Sequence, residues 1–168
     1  VPAALVGRAL KALETFFDLP LDEKLRIPIN RNQRGYLQMH KQTQLHGKKP
    51  NRSESFIFGL DLPADDPDLA AGLAMHDTNY WPANLPAFRA TMVEYWRAQF
   101  ALGPKLLRAL ALAMRQPEDF FVPFYTKPDS LLRCVAYPGL EGDFDGQFGA
   151  GPHTDNGTLT ILAQDDVG

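Results

Sequence analysis

His153 and Asp155 stand two residues apart in the segment Gly151-Pro152-His153-Thr154-Asp155-Asn156-Gly157. In extended backbone, alternate side chains project to the same face. The imidazole and the carboxylate therefore point together while Thr154 points away. Side by side they offer a nitrogen and an oxygen to one divalent cation. One further histidine would complete a two-His-one-carboxylate triad, whose open positions suit non-haem iron(II). The pair by itself is a weak signal, because Asp155-Asn156-Gly157 also reads as a hairpin turn. His40, His46 and His76 lie in polar, loop-like stretches. A histidine in such a place is usually just solvated, so none of the three is expected to be the missing ligand.

The elements that must carry this pair follow from periodicity. Residues 3–17 space Leu5, Leu10, Leu13, Phe16 and Phe17 as an amphipathic helix. Pro20 ends it, and Asp22 is placed to cap a short following turn. Residues 27–53 show no clear period and read as a long, partly extended loop. Residues 55–60 are aromatic and β-branched, which favours a short strand, and residues 61–87 read as loop. The strongest helical stripe runs over residues 86–115, through Phe88, Met92, Trp96, Phe100, Leu107, Leu110 and Met114. Pro104 interrupts it, so a kink or two abutting helices is expected at Gly103-Pro104. One more helical turn is expected near 118–125. Residues 131–137 then form an extended run, and residues 158–163 alternate in a strand pattern. Helices first and β-structure last predict an α+β fold. The expected division is a mainly helical region with substrate-side loops over 1–125 and the start of a β core over 126–168.

Composition narrows the function. The 168 residues are 45% hydrophobic, enough for one domain with a real core. The net charge of −3 gives no general reason to bind nucleic acid. Charge is nevertheless uneven. Eight basic residues and no acidic one fall between Lys24 and Ser53, and four aspartates fall between Asp61 and Asp68. These runs read first as solvated loops. The sharper reading of the first run is a basic rim that attracts an anionic substrate. The basic run lacks the aromatic interleaving of a base-stacking surface. Cys134 is the single cysteine and is expected to be a buried small residue; with no disulfide possible, a cytoplasmic location is expected. No apolar stretch reaches the length of a membrane span. The chain opens on Val1 and stops at Gly168, and both ends are expected to be truncated.

Longer fragments carry a resemblance. Phe16-Phe17-x-Leu19-Pro20-x-x-x-Lys24, Arg34-Gly35-Tyr36, Glu54-Ser55-Phe56-x-x-Gly59, Asn79-x-Trp81-Pro82, Leu85-Pro86-x-Phe88-Arg89 and Leu132-Arg133-x-x-x-Tyr137-Pro138 occur in that order. His153-Thr154-Asp155-x-Gly157-x-Leu159-Thr160-x-Leu162-x-Gln164-Asp165 follows them. In this order they resemble the isopenicillin N synthase-like family of iron(II)/2-oxoglutarate-dependent oxygenases. The resemblance implies a double-stranded β-helix (jelly-roll) core with helices packed outside. It implies iron(II) held by His153 and Asp155 as metal ligands and catalytic centre, and Tyr137 contacting the carboxylate of cosubstrate or substrate. 2-Oxoglutarate would be the cosubstrate, and the partners O2 and a small molecule, with a carboxylate suggested by the basic run. The family's second metal histidine and its Arg-x-Ser pair for 2-oxoglutarate fall downstream of Gly168. Two alternatives stay open: a degenerate, non-catalytic jelly-roll domain, and a member that oxidises its substrate without 2-oxoglutarate. The oligomeric state is not legible.

Overall fold

The computed structural model describes residues 1–42, 49–139 and 148–165. Helix α1 (Ala3–Phe17) matches the amphipathic stretch and buries Leu5, Ala9 and Phe16. Helix α2 (Leu21–Lys24) starts after Pro20. Pro20 holds the cap position, and Asp22 lies in the first turn. The expected Asp22 cap is therefore not made; its carboxylate instead complements the partial positive charge of the helix start. The long apolar stripe is two helices, α4 (Pro86–Phe100) and α5 (Gly103–Ala113), with Pro104 in the first turn of α5. A proline costs nothing there, because the first turn has no intrahelical partner for its N–H. The stripe does not stay buried throughout: Leu107 and Ala111 are buried, but Met114, at the helix end, is 53% exposed. Short α3 (Pro67–Ala70) lies in the expected loop, capped by the Asp66 carboxylate accepting from the Asp68 N–H. A 3-10 turn (Val122–Phe124) fills the stretch expected to hold one more turn.

Three strands, β1 (Gly35–Leu37), β2 (Glu54–Gly59) and β3 (Leu131–Ala136), form an antiparallel sheet in the order β1-β2-β3. The protein is thus α+β as expected, but not with helices first and strands last: β1 and β2 precede α4 and α5, and β2 pairs with β3 across them. In the β2–β3 register Phe56 faces Cys134 and Ser55 faces Val135. Directly paired residues share a face, so the register sorts the sheet into two sides. One side carries Tyr36, Phe56, Phe58, Leu132 and Cys134. It packs with Phe16 of α1 and with Phe88, Met92 and Trp96 of α4 into the aromatic core. Phe56 is the hub: its ring lies 5.0 Å from Phe16, 5.3 Å from Phe88 and 5.9 Å from Trp81, tilted or edge-on. Such pairs add about 0.5–1.5 kcal/mol each beyond burial. The other side carries Ser55, Ile57, Arg133 and Val135, with Tyr137 next in the alternation.

Two charged residues of the basic run are interior. Lys24 is 7% exposed and Arg34 is 2% exposed. Lys24 donates to Glu54 at 2.9 Å and to the Phe17 carbonyl at 2.8 Å. Glu54 also accepts from the Tyr36 hydroxyl, and this bond together with burial pushes the Tyr36 pKa up. Arg34 donates to the carbonyls of Asn32 and Met75. The run is therefore not a uniform solvated rim. The acidic run is likewise paired: Asp61 with Arg89 at 2.7 Å, and Asp66 and Asp68 with Lys127. No described helix is long and apolar enough to cross a membrane.

One strand expectation fails. Residues 158–163 pair with no strand among the described residues, and Leu159 and Leu162 are 42% and 81% exposed. Alternation expresses a preference, but a strand exists only when a neighbour completes its backbone hydrogen bonds.

Candidate metal centre

The loop that carries His153 and Asp155 is tied to the chain just before β2 by backbone and side-chain bonds. The Arg52 N–H donates to the Phe148 carbonyl at 3.0 Å, and the Gly151 N–H donates to Asn51 Oδ1 at 3.3 Å. Asn51 is 3% exposed, so this tie is shielded from water. Gly149 lies against the ring of Tyr137: a Cβ at that position would sit 2.7 Å from Tyr137 Cδ1. Only glycine permits that approach without displacing the ring.

These ties present His153 and Asp155 together. His153 Nε2 lies 3.3 Å from Asp155 Oδ1, with side chains 38% and 55% exposed. On its other edge, His153 Nδ1 is 2.8 Å from the Gly151 carbonyl. A carbonyl only accepts, so Nδ1 is the donor there; in the neutral ring this leaves Nε2 as the nitrogen with the lone pair, on the side of the Asp155 carboxylate. A metal-binding histidine has this arrangement, its second nitrogen tied to a backbone carbonyl. The donor set thus fits two adjacent positions of an iron(II) site. No group of three or more His, Cys, Asp or Glu suited to a metal occurs among the described residues. His76 lies elsewhere, its Nε2 3.8 Å from Asp68 and its Nδ1 2.9 Å from the Ala74 carbonyl. The His40 N–H donates to the Asn51 carbonyl at 3.2 Å, and His46 lies outside the described residues.

Tyr137 follows β3 and is 56% exposed. Arg133 shares its face. Arg133 Nε donates to Ser55 Oγ at 3.2 Å and Nη2 donates to Gln42 Oε1. Desolvation holds the Arg133 pKa below the usual arginine range, while the neighbouring Tyr137 and Asp155 act in the opposite direction. The residue as a whole is exposed, so crowding is confined to the guanidinium end. Arg133 and Asn51 were not singled out from sequence as site residues. Period-two alternation back from Tyr137 could have found Arg133; nothing local marks Asn51. Cys134, on the core face, is buried, and burial pushes its thiol up to about 12. It is a packed apolar residue, as expected.

The family described as non-haem dioxygenase in morphine synthesis, N-terminal, matches residues 1–84, half of the chain. The chain belongs to the non-haem dioxygenase family. Among its relatives, a 2-oxoglutarate-Fe(II) type oxidoreductase of Emericella nidulans is 36% identical over 99% of this chain and 50% of its own length. A 2-oxoglutarate-dependent dioxygenase of Aspergillus niger is 36% identical over 93% of this chain and 48% of its own length. A full-length Neurospora crassa protein solved in complex with alpha-KG (2-oxoglutarate) superposes with a TM-score of 0.75 at 27% identity. That match covers 92% of this chain and 48% of the other. The chain therefore spans about half the length of the curated relatives it matches.

Proposed function

We propose that the whole protein is a non-haem iron(II) oxygenase that couples 2-oxoglutarate decarboxylation and O2 activation to hydroxylation or desaturation of a small molecule. The observation that carries this reading is the His153–Asp155 pair, with Nδ1 turned to the Gly151 carbonyl and Nε2 turned to the Asp155 carboxylate. When bound, iron with 2-oxoglutarate supplies the oxidising power. His153 and Asp155 would hold the metal, and Asn51 would steady their loop through Gly151. Tyr137 would contact a carboxylate of cosubstrate or substrate. In this reading residues 126–168 begin a double-stranded β-helix core, with residues 1–125 as the mainly helical region and its substrate-side loops. The third ligand would come from residues beyond those described, and the protein would work in the cytoplasm. The relatives' names and their 2-oxoglutarate-bound neighbour support this reading.

The test is an anaerobic titration of the full-length protein with Fe(II) and then 2-oxoglutarate, followed by visible absorption. A charge-transfer band that needs both additions, and is lost in His153→Ala and Asp155→Ala, is the expected result. Tight iron binding with no band would replace this reading by oxidation without 2-oxoglutarate. Absence of iron binding would replace it by a non-catalytic jelly-roll domain.

A further inference from the structure

We propose that Arg133 is the anchor for a carboxylate on the primary substrate, held ready beside the metal pair by Ser55 and Gln42. This inference rests on the oxygenase reading and names its substrate class: a small monocarboxylate.

The argument begins with strand geometry. Arg133 projects from β3 to the sheet side away from the aromatic core, together with Ser55 of the neighbouring strand. The guanidinium is fixed at two points, by Ser55 Oγ on Nε and by Gln42 Oε1 on Nη2. A guanidinium has five N–H donors. Among the described residues two are used, by Ser55 and Gln42, and both hydrogens of Nη1 and one of Nη2 have no partner there. Those are the two nitrogens that form the end-on fork for a carboxylate.

Among the described residues, the side chains that bond this fork carry no charge. Ser55 and Gln42 are neutral, unlike the carboxylates that meet Arg8 and Arg89 at 2.8 and 2.7 Å. Arg34 also has neutral partners, but it is interior and closed to a ligand. Arg133 is exposed, and its guanidinium is partly stripped of water. An anion arriving there gains charge-assisted bonds that solvent supplies only weakly. Tyr137, on the same sheet side as Arg133, lies against Gly149 of the segment that leads to His153 and Asp155, and the Asp155 charge acts on Arg133. A small molecule held at Arg133 by its carboxylate would lie on the sheet side along which the loop carrying His153 and Asp155 runs. Fixing the guanidinium beforehand removes ordering cost that binding would otherwise bear.

The experiment uses the full-length protein loaded anaerobically with Fe(II) and 2-oxoglutarate. The probes are benzoate with benzamide and phenylacetate with phenylacetamide, matched in shape and differing in charge. Calorimetry is expected to show at least one carboxylate binding roughly tenfold or more tighter than its amide. Arg133→Gln should remove that preference, Arg133→Lys should keep part of it, and the double variant Gln42→Ala/Ser55→Ala should weaken it several-fold. Iron and 2-oxoglutarate affinities, titrated separately, should stay within about twofold in all variants. If Arg133→Gln does not fold by circular dichroism, the lysine and double variants decide. The inference is overturned if wild-type protein shows no carboxylate preference, or if the preference survives Arg133→Gln. It is also overturned if that variant instead loses 2-oxoglutarate or iron affinity, which would assign Arg133 to the cosubstrate or to Asp155. Failure of the iron and 2-oxoglutarate titration in wild type would sink the oxygenase reading itself, a result read independently of the probes.

Discussion

Asn51 Oδ1 accepts the backbone N–H of Gly151 at 3.3 Å, and the Gly151 carbonyl in turn lies 2.8 Å from His153 Nδ1. A buried amide near the end of the 40–51 segment thus reaches the imidazole through one glycine. Two pieces of chain a hundred residues apart are joined just ahead of His153.

Removing this support should loosen the ligands without removing them. Asn51→Ala is expected to weaken Fe(II) binding by about 10–100-fold, the usual scale for outer partners of a metal ligand. His153→Ala or Asp155→Ala should weaken it further still, with little change in melting temperature because both side chains are well exposed. Anaerobic iron titration alongside thermal melts separates the two effects. Equal iron affinity in Asn51→Ala and wild type would show that the loop holds itself.

Gly59 faces a different constraint. A Cβ there would lie 2.6 Å from Arg34 Nη2 and 2.9 Å from its Cζ. Arg34 is buried and tied to backbone carbonyls, so it has little room to yield. Gly59→Ala is expected to cost about 1–3 kcal/mol, the range for overpacking a filled interior. Urea denaturation of the full-length protein would measure it, and an unchanged midpoint would show that Arg34 can relocate.

The buried and exposed ion pairs should differ sharply. Lys24→Met leaves Glu54 charged and nearly dry, which should cost about 3–5 kcal/mol. Arg8→Ala breaks a shorter but open pair with Glu94, side chains 53% and 58% exposed. Its cost should stay below about 1 kcal/mol. Similar losses in the two variants would contradict the burial of the Lys24–Glu54–Tyr36 cluster.

Alkaline pH should destabilise the fold through Cys134. Burial raises the folded thiol from 9.0 to about 12. Between those values the unfolded chain releases this proton while the folded chain keeps it. The unfolded state then binds fewer protons, so stability falls as pH rises above about 9, by up to about 1.4 kcal/mol per pH unit. Denaturation at pH 8 and pH 10 should show the loss, and Cys134→Ala should reduce its steepness. Tyr36, also raised, adds to the loss in the same direction at higher pH. A pH-independent midpoint over this range would refute the assignment.

Much of this protein was legible from residue order alone. The spacing of Leu5 to Phe17 set α1, Pro104 divided the long helix, and the two-residue step from His153 to Asp155 put both ligands on one side. These are local matters: periodicity, a missing donor, alternation along extended backbone. Lys24 and Arg34 looked like surface charge, because nothing nearby in sequence announces Glu54 thirty residues on or the Met75 carbonyl forty-one residues on. Residues 158–163 carried a strand pattern but no partner, and pairing is a property of two segments rather than one. Arg133 shows the division most clearly. Sequence could place it on Tyr137's face by counting in twos, whereas only the packed sheet brings Ser55 and Gln42 to fix its guanidinium and Asp155 within reach of its charge.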